Sequence, residues 1–202
     1  MKTRFFGATL ALALLAGCGG GGSTAPLPSR TATVSINFPR TNLTDPSPVV
    51  ALPGFTRSLG KLTKVDVKIA VNIEAEVKAT AGGGASVSGD YSIRGYCGLT
   101  RTPGGLSLVD VPATAGGTSG TLSLGPGGMQ TWTFSGAESI VTQQTTTHTG
   151  GAAFDTFNAG GDVAMKVAPK VSVSLPPGCT STTTGAAEGT ISVTYTYTPS
   201  LP

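Results

Sequence analysis

The chain has 202 residues, of which 11% are charged, 30 are glycine and one is histidine. So few charges, with so many hydroxyl residues and glycines, exclude an ordinary cytosolic enzyme composition, and the Val/Ile-rich alternating segments exclude a disordered chain. The formal charge is +3, and setting aside Lys2 and Arg4 of the leading segment leaves 11 basic against 10 acidic residues. That balance gives no electrostatic ground for a nucleic-acid partner.

Residues 1–17 have the three parts of an export signal. Lys2 and Arg4 form a basic start, Phe5 to Leu15 an apolar core, and Leu15-Ala16-Gly17 lead into Cys18. The apolar run is shorter than the ~20 residues needed to cross a bilayer as a helix. Leu15-Ala16-Gly17-Cys18 resembles the lipobox of bacterial lipoproteins. The resemblance implies diacylglycerol on the Cys18 thiol, cleavage before it, and, with Gly19 rather than Asp following, sorting to the outer membrane. Residues 18–30 read as a tether. Gly19–Gly22 are flexible, Pro26 and Pro28 stiffen the end, and the reach is roughly 20 Å.

Residues 31–202 read as one β domain. Ala32, Val34, Ile36 and Phe38 alternate with polar residues, which predicts a strand stopped by Pro39. Residues 39–60 hold four prolines and read as an extended loop. From Leu62 to Ala79 the alternation is long and regular: Val65, Val67, Ile69, Val71, Ile73, Ala75, Val77 and Ala79 share one parity. Lys64, Asp66, Lys68, Asn72, Glu74, Glu76 and Lys78 share the other. Ala81–Ala85 reads as a hairpin turn into a returning strand with Val87, Tyr91 and Ile93.

Short strands follow at residues 106–111 and 121–124, and one or two more over 130–149. Residues 163–175 read as a strand interrupted by Pro169. Ile191, Val193, Tyr195 and Tyr197 close the chain in alternation with threonine and serine. Eight to ten strands, with no amphipathic helix, predict an all-β, two-sheet antiparallel β-sandwich of jelly-roll or Ig-like type. A barrel is the competing all-β architecture. A membrane-spanning one conflicts with the charged parity of the long strand, which cannot face lipid.

With Cys18 assigned to processing, Cys97 and Cys179 remain as the intramolecular pair, and an exporting chain permits a disulfide between them. Closing so long a loop would contribute on the order of 4 kcal/mol. Two free, buried thiols are the alternative.

Leu52-Pro53-Gly54-Phe55-Thr56-Arg57-Ser58-Leu59-Gly60-Lys61-Leu62-Thr63-Lys64-Val65 resembles the opening signature of the choice-of-anchor E domain. It departs from that signature at Thr56-Arg57, where Asp-Pro is expected. Val193-Thr194-Tyr195-Thr196-Tyr197-Thr198-Pro199 is similar to the closing strand, and Phe154 to Val167 fits as well, so the resemblance covers most of residues 31–199. It implies an exported bacterial β-domain held at the surface by one of several kinds of anchor, and it brings no catalytic residues.

Chemistry is sparse. His148 lies in a threonine run with no nucleophile elbow elsewhere in the chain. Zinc would need more histidines or free thiols than are present. Asp155, Asn158 and Asp162 place three oxygen donors in one expected loop, which suits calcium, though Asp and Asn are equally ordinary turn residues. No other metal site and no cofactor is expected. Trp132, Tyr91, Tyr96, Tyr195 and Tyr197 are the aromatics that could stack on a sugar. Parity puts Tyr195 and Tyr197 in the core, and the lone Trp132 is expected to be buried as well. The expected function is a membrane-anchored exported lipoprotein whose sandwich is structural or adhesive and not enzymatic. A glycan- or matrix-binding surface module is the alternative, with Trp132 as the ligand contact.

Overall fold

The period-two alternation becomes ten strands and one short helix in the computed structural model, which describes residues 27–110 and 116–200. In chain order these are β1 (Arg30–Asn42), β2 (Val49–Pro53), β3 (Gly60–Ala81), β4 (Val87–Arg101), β5 (Ser107–Asp110), β6 (Gly117–Leu124), β7 (Met129–Phe134), β8 (Ile140–His148), α1 (Gly151–Asn158), β9 (Asp162–Ser174) and β10 (Cys179–Pro199). The signal-like segment, Cys18 and most of the tether lie outside the described residues. Of the tether, residues 27–29 are exposed and irregular, and β1 begins at Arg30.

Two five-stranded antiparallel sheets pack face to face, so the chain is an all-β two-sheet sandwich. The first runs β1-β10-β3, and along the far edge of β3 lie β8, against Val65–Ile73, and β7, against Ala75–Thr80. The second runs β2-β9-β4, with β6 against Val87–Arg94 and β5 against Gly98–Thr100. β3 at 22 residues and β10 at 21 are the central strands of the first sheet.

The inward parity of β3 is the one expected. Val65, Val67, Ile69, Ile73, Val77 and Ala79 are completely buried. Each such Val or Ile contributes roughly 1.5–3 kcal/mol relative to exposure, which makes β3 the spine of the core.

Several expectations give way. The glycines after Ala81 do not close a hairpin: β3 belongs to the first sheet and β4 to the second. Both strands carry an apolar face, and stacking them face to face buries both faces where edge pairing would bury neither. The expected loop over 39–60 contains β2, and β1 runs on past Pro39 with a register shift between Phe38 and Thr41. An edge strand accommodates such a bulge and a proline. Pro169 does not interrupt β9. It lies opposite Cys97, beyond the stretch that β2 covers, so β9 is paired there on one side alone. The loop expected over Phe154–Asp162 is helical in its first part, because α1 runs to Asn158 and buries Phe157.

The expected Cys97–Cys179 disulfide is absent, and both thiols are free. Cys97 lies mid-β4 in the second sheet, whereas Cys179 opens β10 opposite Ala81 in the first. Gly178 sits against Val87, the start of β4, which leaves Cys97 roughly 30 Å further along that strand. A disulfide needs Cα atoms within about 4.4–6.8 Å.

Candidate functional site

β6 and β7 are consecutive in the chain but belong to opposite sheets, so the edges of both sheets meet on one side of the sandwich. A cleft opens between them. Tyr91, from β4, and Trp132, from β7, are half-buried in it, with ring centroids 4.7 Å apart and planes inclined by 37°. On β6 the residue directly opposite Tyr91 is Gly120. A Cβ at that position would come within 3.2 Å of the tyrosine ring, so the glycine lets the ring lie close against β6.

The cleft has a volume of about 340 Å³ and is lined by Tyr91, Thr121, Leu122, Ser123, Gln130 and Trp132. Leu122 is buried beneath it, and Thr121, Ser123 and Gln130 are exposed on its rim. The Thr121 hydroxyl donates to Asp90 at 3.4 Å, and the Gln130 amide donates to the Thr131 carbonyl at 3.0 Å. Trp132 therefore departs from the burial expected of it: part of the ring packs on the core and part lines the cleft. Its companions were not legible as a group. Only the pairing of β4 with β6 brings Thr121 and Ser123 to Tyr91.

The other aromatics are occupied. Tyr195 and Tyr197 are buried against Phe55, at 5.8 and 5.4 Å between ring centroids. Burial pushes the Tyr195 hydroxyl well above the ordinary phenol range. Tyr96 has the Lys170 ammonium over its ring at 5.0 Å.

His148 is engaged structurally. Its Nε2–H donates to the Leu108 carbonyl at 3.1 Å, which ties β8 of one sheet to β5 of the other. Asp66, on neighbouring β3, is taken up by the Thr147 hydroxyl at 2.6 Å and the Lys64 ammonium at 2.7 Å. Partial burial pushes its carboxyl up, but these two partners outweigh that and hold it below the usual range.

Asp155, Asn158 and Asp162 do not share a loop. The first two lie on α1 and the third opens β9. The Asn158 carbonyl accepts a 2.9 Å hydrogen bond from Arg57 Nε, which places a guanidinium beside this end of the helix. Among the described residues no group of three His, Cys, Asp or Glu is placed to hold a metal ion.

The outer face of the first sheet carries a feature not anticipated from the sequence. Hydroxyl pairs bridge β1 and β10 at Thr33–Thr194 (2.9 Å) and Ser35–Ser192 (2.8 Å), and Thr190 donates to Asn37 at 2.8 Å. This ladder borders a shallow groove of about 420 Å³ over Ala70 and Asn72. The Asn72 Oδ1 there is buried without a hydrogen-bond partner.

No protein-family model matches the chain, and no curated protein matches it. Among solved structures it is similar to the STIV MCP at 12% identity and a TM-score of 0.25, covering 80% of this chain and 48% of that one. It is also similar to the extra small virus particle of the prawn Macrobrachium rosenbergii, at 13% identity and a TM-score of 0.17, covering 88% and 94%. The infectious bursal disease virus VP2 particle follows at 6% and 0.22, covering 82% and 38%. The chain spans about half the length of the STIV protein. Likenesses this faint carry no function to this chain.

Proposed function

We propose that the protein is an exported lipoprotein, anchored through acylated Cys18 in the outer membrane, whose sandwich serves a structural or adhesive role without catalysis. The observation that carries this reading is Leu15-Ala16-Gly17-Cys18 directly behind a basic start and a short apolar core. Only residues 19–29 separate Cys18 from β1, so a tethered domain would stay close to the membrane. A single acyl chain holds weakly, at about 0.8 kcal/mol per buried methylene, and two or three hold firmly. The similarity to choice-of-anchor E domains supports the same reading. A non-catalytic role is supported by how the candidate groups are spent: His148 on a backbone carbonyl, Asp66 on Thr147 and Lys64.

The test is metabolic labelling with a fatty-acid analogue. Labelled mature protein in the membrane fraction is expected, with unlabelled, unprocessed precursor in Cys18→Ala. Labelling that persists in Cys18→Ala would sink the anchor.

A glycan- or matrix-binding role is the second reading. One observation favours it: Trp132 is half-buried in a cleft with a polar rim instead of closed inside the core.

A further inference from the structure

The near balance of charge conceals an uneven distribution along the sandwich. β1 begins at Arg30, opposite Tyr197 near the end of β10, and Lys61, opposite Thr198, lies at the same end. Arg57 stands just before β3, and its Nε–H donates to the Asn158 carbonyl of α1. From the second sheet Arg101, the last residue of β4, reaches the same helix and donates to the Thr156 hydroxyl at 3.5 Å. All four cations are exposed. Among the described residues the exposed carboxylates beside them are Asp155 and Asp162, and neither forms an ion pair with them. Towards the opposite end the sign reverses: Asp45, Glu74, Glu76, Asp90 and Glu138 stand against Arg40 and Lys78.

The chain that precedes the domain joins it at the basic end. Residues 27–29 are exposed and lead into Arg30, and residues 19–29 are all that separate Cys18 from β1. A coil of that length reaches roughly 20 Å, about two Debye lengths at ~0.1 M salt. Whatever surface holds Cys18 therefore meets this end of the sandwich first. A negatively charged leaflet is the surface that the end complements. Each Lys or Arg brought near such a leaflet strengthens attachment roughly fivefold, and basic residues beside an acyl chain hold where one chain alone holds weakly.

We propose that the end of the sandwich formed by Arg30, Arg57, Lys61 and Arg101 docks on the anionic phospholipid headgroups of the leaflet that holds the chain. The acidic end then points away from the membrane. The proposal rests on the anchored reading and adds an electrostatic attachment to the acyl one.

Lys61 and Lys78 are both exposed on β3, roughly 55 Å apart along one strand, so the second serves as reference for the first. The full chain, purified from membranes, is reconstituted into vesicles of phosphatidylcholine alone or with about one-third phosphatidylglycerol. Acetylation of the two lysines by an uncharged N-hydroxysuccinimide ester is followed by mass spectrometry. On the anionic vesicles alone, Lys61 should react about threefold or more slowly relative to Lys78, and about 0.5 M salt should erase the difference. Arg57→Glu/Arg101→Glu should lose the protection. Arg30→Glu, at a position with no side-chain hydrogen bond among the described residues, repeats the test. Lys68→Glu, exposed and nearer the middle of β3, should keep the protection.

Equal Lys61 rates on the two kinds of vesicle overturn the docking, and so does protection that survives in both charge-reversed variants. The same spectra report whether Cys18 is acylated, so the two readings fail separately. Protection of an unacylated chain keeps the docking while the lipid anchor falls. Acylated protein with Lys61 unprotected keeps the anchor and overturns the docking. A wild-type chain that binds neither kind of vesicle overturns both.

Discussion

The Tyr195 hydroxyl, on β10 of the first sheet, donates a 2.8 Å hydrogen bond to the Pro53 carbonyl at the end of β2 in the second. Its ring is buried near Phe55 and Phe157, at 5.8 and 6.2 Å between centroids, so one side chain both fills the core and links the sheets. Tyr195→Phe keeps the ring and removes the link. It should cost about 1 kcal/mol, read from urea unfolding as a lower midpoint with an unchanged slope.

Gly95 and Ile140 meet across the interior of the sandwich. A Cβ at Gly95 would lie 2.5 Å from Ile140 Cγ2 and 3.1 Å from Ile73 Cδ1. Gly95→Ala should therefore destabilise by about 1–3 kcal/mol through overpacking. Ile140→Ala alone should also destabilise, by leaving a cavity. The double variant should lose clearly less than the two single losses together, since each change relieves the other. Strict additivity in the double-mutant cycle would mean that the two residues do not touch.

The acid limb of stability should depend on Asp66 and Glu74. Arg40, 2.6 Å from Glu74, holds that carboxyl below its usual range, and Asp66 is likewise lowered. Carboxyls with a lower pKa folded than unfolded stabilise above the unfolded values, 3.8 and 4.5. That contribution is lost as pH falls through the folded values. The difference in Tm between about pH 7 and about pH 3 should shrink in Asp66→Asn and in Glu74→Gln. An unchanged difference would show that neither pair matters to stability.

Thiol chemistry should follow the separation of the cysteines. Apart from Cys18, the chain purified under oxidising conditions should yield two thiols on unfolding without reductant, and only half-buried Cys179 should react while folded. Burial pushes the Cys97 thiol up to about 12, so it is protonated in the folded chain at ordinary pH. A thiol pKa higher in the folded state than the unfolded value of 9.0 contributes stability below pH 9.0 and loses it as pH rises towards about 12. Cys97→Ala should flatten that alkaline decline. A disulfide-linked peptide pair in a non-reduced digest would contradict the arrangement.

The alternation along β3 and β10 was open to reading from the chain because side-chain direction in a strand is a local property with period two. It predicts that Val65 to Ala79 and Tyr195 to Tyr197 face inward, and that the domain is an all-β sandwich. Partnership between strands is not local. Nothing near Gly82–Gly84 distinguishes a hairpin from a passage between sheets, because β3 and β4 show the same parity in either case. The passage follows from burying two apolar faces against each other. It carries Cys97 far from Cys179, and it lets β7 and β8 share the edge of β3. It also brings β6 beside β7, so that Trp132, which parity places inside, opens onto a cleft made by residues distant in the chain.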